Sequence, residues 1–230
     1  VVLDEWAGDR TACTFLPLFA GRTEHAEQLL EHMTDPDRFF TPFGISSVDM
    51  RAPSYNPHGY WNGGVWPVMQ WYIWRGLLEA GRPEPARQVT DAILSTWNRC
   101  FGTEHYLGEH FMITTQQMNG APNFAGLNAS LLPMNAAYYR TYHVTTPYEV
   151  VTLDKAVDTE QDMLTVTLTT PDRSDKSHLI LLNMAQGGSR YTVTVNGQSL
   201  GEHLSDRYGH LHMHVKLPLQ RNEVVVRPPR

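Results

Sequence analysis

Hydrophobic spacing divides the chain into a helical first part and an alternating second part. Residues 11–20 carry Phe15, Leu16 and Phe19 at helical spacing and stop at Gly21. Thr23 stands as an N-cap ahead of 24–33, where Ala26, Leu29, Leu30 and Met33 share one face. A third helix is expected over 63–80. Val65, Trp66, Met69, Trp71, Tyr72, Ile73, Trp74 and Leu77 make it apolar almost all round, which predicts burial on most sides. Gly81 ends it, and Pro83 and Pro85 open a fourth helix running to about Cys100. A last helix is predicted over 125–143, bent at Pro133. The connections 35–62 and 101–124 exceed the usual length, and such loops are commonly functional.

After Tyr148 the period changes to two. MLTVTLTT, HLILLN, RYTVTVNG, HLHMHVKL and NEVVVRP are short strand-like runs separated by Gly, Asp, Asn and Ser. Asn196-Gly197 predicts a tight hairpin turn. All six tryptophans and all eight phenylalanines precede residue 125, and this shift places a domain boundary near 147/148. The expected fold is mainly α with a β-domain: paired helices over 1–147, then an antiparallel sheet or sandwich over 148–230.

Composition narrows the partners. The 230 residues are 41% hydrophobic and 18% charged, an ordinary globular balance. A net charge of −6 without a basic cluster argues against nucleic acid. No apolar run reaches the roughly 20 residues of a membrane span. Cys13 and Cys100 form no metal or redox spacing and predict no disulfide framework. The opening residues VVLDEWAGDR match no targeting signal and read as the interior of something longer, so a fragment or processed chain is expected and localisation is not legible.

Candidate chemistry concentrates in two segments. The run 55–74, YNPHGYWNGGVWPVMQWYIW, suits a pyranose, whose apolar face stacks on flat rings while Asn56, His58, Asn62 and Gln70 meet hydroxyls. Gly63-Gly64 before a helix allows close backbone approach. By composition alone, core packing is the plainer reading of the same aromatics. The second segment, FGTEHYLGEHF, offers Glu104 and Glu109, and glycosidases need two carboxylates flanking the scissile bond. Its His105 and His110 match no common metal spacing. His210, His212 and His214 fall on one face of a strand, and the preferred reading has Leu211, Met213 and Val215 facing the core and the histidines facing water, instead of a metal between the histidines. Asp4, Glu5, Asp9 and Asp49 are further carboxylates with no distinguishing spacing. Asn128-Ala129-Ser130 matches a glycosylation acceptor inside a predicted helix.

FLPLFAG, DPDRFFTPFGISSVDMRAPSY and YWNGGVWPVMQWYIWRGL together resemble the C-terminal part of the catalytic domain in (α/α)6-barrel glycoside hydrolases. The group resembled holds processing α-glucosidase I and bacterial mannosylglycerate hydrolases, with trehalases as relatives. The carrying residues are Leu16-Pro17-Leu18, the stretch 39–47 and the stretch 60–66, within about 10–143. The sequence gives no reason to expect a cofactor or metal. The resemblance implies an inverting hydrolase of an α-glucosidic or related linkage. It implies a general base in a Glu-x-Tyr stretch, which prefers Glu104 of Glu104-His105-Tyr106 over Glu109. It also implies sugar subsites lined by Tyr60, Trp61, Asn62, Gly64 and Trp66, with His58 and Tyr106 close by. The general acid would come from an earlier part of the barrel, so a preceding segment or companion chain is the expected partner besides the carbohydrate. Two features depart from the family: Gly63-Gly64 replaces a proline-containing turn, and LGEHFMITTQQMNG replaces a proline-x-threonine-glycine pattern. Two other classes stay open: a carbohydrate lyase using His58 and Tyr60, and a sugar-binding module without catalysis.

Overall fold

The computed structural model describes residues 9–21, 24–171 and 176–229, except for the side chain of Glu104. Asp4, Glu5 and the N-cap expected at Thr23 lie outside the described residues. Two compact units, Val1–Met134 and Asn135–Arg230, divide the chain.

In the first unit a 3-10 turn over Ala12–Phe15 runs into α1 (Leu16–Phe19), and α2 (Ala26–Thr34) follows. The long connection holds a two-residue hairpin, β1 (Phe40–Thr41) with β2 (Gly44–Ile45). Helix α3 (Pro67–Glu79) starts four residues later than the apolar run predicts. Pro67 takes the first helical position, where its missing N–H costs nothing. The preceding residues serve a β-bridge instead: Val65 and Phe111 exchange both backbone hydrogen bonds at 2.9 Å. Gln70, fully buried, fastens β2 to the first turn of α3. Its Oε1 accepts from Ile45 N at 2.8 Å and its Nε2 donates to Ile45 O at 2.9 Å, as a neighbouring strand would.

Helix α4 (Pro83–Glu104) runs past Cys100 because Ala86, Val89, Ile93 and Cys100 keep a buried face at helical spacing. His105, at φ 55, stops it. α3 packs against both α4 and α1. The hairpin β3 (His110–Phe111) with β4 (Met118–Asn119) then leads to α5 (Ala125–Asn128). The single helix expected over 125–143 is two: α6 (Leu131–Tyr139) begins anew just ahead of Pro133. A proline ring clashes with the carbonyl four residues back, so it is accommodated in a first turn and not mid-helix. The division between units falls within α6.

Among the described residues the second unit holds two antiparallel sheets. The larger runs β10 (Gln198–Leu204), β9 (Arg190–Val195), β12 (Asn222–Arg227), β7 (Met163–Thr169), β6 (Val151–Asp158). The smaller runs β11 (His210–Lys216), β8 (Ser177–Asn183), β5 (Val144–Thr145). Alternate residues of both sheets enter one core: Leu164, Val166 and Leu168 of β7, Ile180 and Leu182 of β8, and Leu211, Met213 and Val215 of β11. Each such side chain contributes about 1.5–3 kcal/mol by burial. Asn196 (φ 51) and Gly197 (φ 78) turn β9 into β10, as the Asn-Gly pair predicts. Buried Asp162 ties this unit internally, accepting from Tyr142 Oη at 3.0 Å and Tyr191 Oη at 2.6 Å.

Candidate active site

The aromatic run forms a compact cluster at the start of α3. Trp66 is 1% exposed, whereas Tyr60 and Trp61 are 48% and 49% exposed. The Trp61 ring lies parallel to Trp66, centroids 3.5 Å apart and planes at 4°. His110 covers Trp66 at 4.9 Å and 16°. Tyr60 stands edge-on to Trp61, Trp66 and His110, at 5.8, 4.8 and 5.3 Å. Its backbone carbonyl accepts the Trp66 Nε1 proton at 3.0 Å.

The two glycines that depart from the family pattern make this geometry possible. A Cβ on Gly63 would lie 1.9 Å from the Asn56 carbonyl oxygen, and one on Gly64 would lie 2.5 Å from His110 Cδ2. Ser47 Oγ accepts Gly63 N at 2.9 Å, and Ser47 N donates to Gly64 O at 3.0 Å, so the turn is anchored on both sides. Asn62 Nδ2 closes the loop on Ser54 O at 2.8 Å. Asn56 Oδ1 accepts His58 N at 3.0 Å.

The carboxylate brought to the cluster is Glu109. The Tyr60 hydroxyl donates to its Oε2, and Ala121 N donates to its Oε1 at 3.2 Å. The hairpin fixes its backbone, with Glu109 N donating to Asn119 O at 2.7 Å. The Tyr60 hydrogen bond, then that of Ala121, holds the Glu109 carboxyl below the usual range against partial burial. The same bond, with burial, pushes the Tyr60 phenol up. Glu109 is therefore ionised, oriented and adjacent to exposed aromatic faces. A carboxylate in that state is suited to accepting a proton. His110 is buried beside it, and burial lowers its pKa, partly opposed by the Glu109 charge.

Of the residues singled out from sequence, Tyr60, Trp61 and Trp66 come together, with Gly64 beneath His110. Asn62 serves its own loop. His58, exposed, pairs through Nδ1 with Thr114 Oγ1 at 3.3 Å. Tyr106 donates from its hydroxyl to Met118 O at 3.2 Å, under the hairpin. Glu104 ends α4, and its side chain lies outside the described residues. Sequence reasoning singled out Asn128 only as a glycosylation match, and the residue is 2% exposed. Its Nδ2 donates to Gly108 O at 2.7 Å and to Phe124 O at 3.0 Å, while its Oδ1 accepts Trp97 Nε1 at 3.0 Å. With its amide so occupied, it is no exposed glycan acceptor. Among the described residues no group of His, Cys, Asp and Glu is arranged to hold a metal ion. No described helix is long and apolar enough to cross a membrane.

Comparison with known proteins identifies the family of the first unit. Residues 1–125 match the model of the mannosylglycerate hydrolase MGH1-like glycoside hydrolase domain. Mannosylglycerate hydrolase MGH1 of Selaginella moellendorffii is 33% identical over 84 residues, 34% of this chain and 16% of that protein. Glucosylglycerate hydrolase of Mycolicibacterium hassiacum is 30% identical over 118 residues, 45% of this chain and 26% of that protein. Mannosylglycerate hydrolase of Thermus thermophilus is 30% identical over 102 residues, 42% of this chain and 24% of that protein. The matches thus span 16% to 26% of these relatives' own length. With the family model covering more than half of it, the chain belongs to the MGH1-like glycoside hydrolases.

Proposed function

We propose that the full-length protein is an inverting glycoside hydrolase acting on a small hexosyl glycoside of the glycosylglycerate class, with Glu109 as general base. The observation that carries this reading is the Tyr60–Glu109 hydrogen bond. It joins an ionised carboxylate to the exposed Tyr60–Trp61 face that suits a pyranose ring. In an inverting reaction one carboxylic acid protonates the leaving oxygen while a carboxylate on the opposite face takes a proton from the attacking water. Tyr60 and Ala121 N–H hold the base anionic and oriented for that task. The names of the relatives, mannosylglycerate and glucosylglycerate hydrolases, support the substrate class. Their length supports a further segment or companion chain that supplies the general acid and completes an (α/α)6 barrel around the first unit. The second unit then follows as a β-sandwich domain.

The test is hydrolysis by the full-length protein of mannosylglycerate, glucosylglycerate and trehalose, followed by proton NMR of the first anomer released. An α-glycoside should yield the β-anomer first. Release of the retained anomer would refute the water-activating role of Glu109. An unsaturated product would revive the lyase alternative.

A further inference from the structure

Resting on the reading of Glu109 as base, we propose that His110 is a positioning residue whose imidazole must stay uncharged, so that its protonation closes the acid side of the activity profile. His110 is 1% exposed, and both its ring nitrogens are buried without a hydrogen-bond partner. A phenylalanine would fill the same slot against Trp66 and Tyr60 without burying two polar atoms, so shape alone does not account for an imidazole here. The slot is also tight: Gly64 is the neighbour that leaves room for the ring, since a Cβ there would stand 2.5 Å from His110 Cδ2. The ring cannot slide away to find water while the Trp66 stack is intact.

The titratable groups against it are Glu109, the residue before it, and Tyr60 on the loop before α3. Gly64, Trp66 and the paired Asn119 carry no charge. A neutral ring leaves the Glu109 carboxylate to Tyr60 and Ala121 N–H. A proton taken from solvent makes both ring nitrogens donors, and Glu109 is the anion beside them. The imidazolium then competes for that carboxylate, turning it from its two donors and weakening it as a base. Burial delays this charging to below the ordinary histidine value of 6.5, and the Glu109 charge opposes the delay in part. Tyr60 and Ala121 likewise hold Glu109 below its own usual 4.5.

The experiment uses the full-length protein and two readouts. Protonated imidazole quenches an indole stacked on it, so tryptophan emission is titrated from neutral to acid pH without substrate. Wild type should lose emission in a one-proton step below pH 6.5. His110→Phe, His110→Gln and Trp66→Phe should each lack the step. In parallel, the acid limb of kcat/KM should move to lower pH in His110→Gln and His110→Phe. The Gln variant serves if the Phe variant does not fold. An emission step that persists in both His110 variants overturns the proposal, and so does an acid limb unmoved by either. Failure of the base reading has a different signature, since Glu109→Gln would then stay active while the emission step remains.

Discussion

Asn128→Ala tests whether the amide behind the hairpin sets the position of Glu109. The alanine removes three hydrogen bonds from a residue that is 2% exposed: from Trp97 Nε1 at 3.0 Å, to Gly108 O at 2.7 Å and to Phe124 O at 3.0 Å. At roughly 1 kcal/mol net for each bond the loss is about 3 kcal/mol, and buried partners left unsatisfied raise it toward about 5 kcal/mol. All six tryptophans precede residue 98, so urea denaturation followed by tryptophan emission reports on the first unit. With a slope of about 2 kcal/mol per molar, the midpoint should fall by about 1.5 M. Gly108 immediately precedes Glu109, so kcat should fall as well, because misplacing a catalytic group by about 1 Å costs on the order of 100-fold. Asn128→Asp keeps the acceptor for Trp97 but cannot donate to Gly108 O, and should reproduce the kinetic loss. A midpoint change under about 0.5 M, or an Asp variant with wild-type kcat, would refute the reasoning.

Gly64→Ala should push His110 off Trp66, because the new Cβ would stand 2.5 Å from His110 Cδ2 and 3.1 Å from Tyr60 O. Overpacking of this kind costs about 1–3 kcal/mol, and both the urea midpoint and the affinity for a sugar product should drop. In the second unit, Tyr142 is pushed up from 10.0 to about 12, first by burial and then by Asp162. Its phenol is thus favoured neutral in the fold. The contribution is complete below pH 10 and is lost as pH rises through about 12. Near-UV circular dichroism should show alkaline loss of stability across that window, and Tyr142→Phe should reduce it, Tyr191, also raised by burial and Asp162, retaining the rest.

The strands legible in the sequence were those with one buried face. β7, β9, β11 and β12 alternate because every second residue enters the core, whereas β8 showed as a continuous apolar run and buries four consecutive residues, Ile180 to Asn183. β6 and β10 were not legible, for a physical reason: they are the two edges of the larger sheet and nearly all their residues are exposed. A strand wet on both faces needs no alternation, and Asp154 and Lys155 on β6 are typical of a guarded edge. On β11 Leu211, Met213 and Val215 enter the core as the period-two reading expects, but of the histidines His210 is buried instead of facing water, its ring nitrogens pairing with Asp206 Oδ2 and Tyr138 O at 2.8 Å. In the site, aromatic density was enough to find Tyr60, Trp61 and Trp66. It did not show that Trp61 stacks on Trp66, which depends on a turn between them. Glu109 was visible only as one of two glutamates, because its partners Tyr60 and Ala121 are brought close by the β3–β4 hairpin. Asn128 and His110 were visible only as a glycosylation match and as a histidine weighed for metal, since burial of a polar side chain is decided by tertiary packing.

The central claim is that Glu109 is the water-activating carboxylate, and paired substitutions in the full-length protein test it most directly. Glu109→Gln preserves the side chain's size but cannot accept a proton from water, so kcat should fall by about 100- to 10,000-fold with sugar binding retained. Glu104→Gln should leave kcat close to wild type. The reverse pattern, with activity lost at Glu104 and kept at Glu109, would contradict the account.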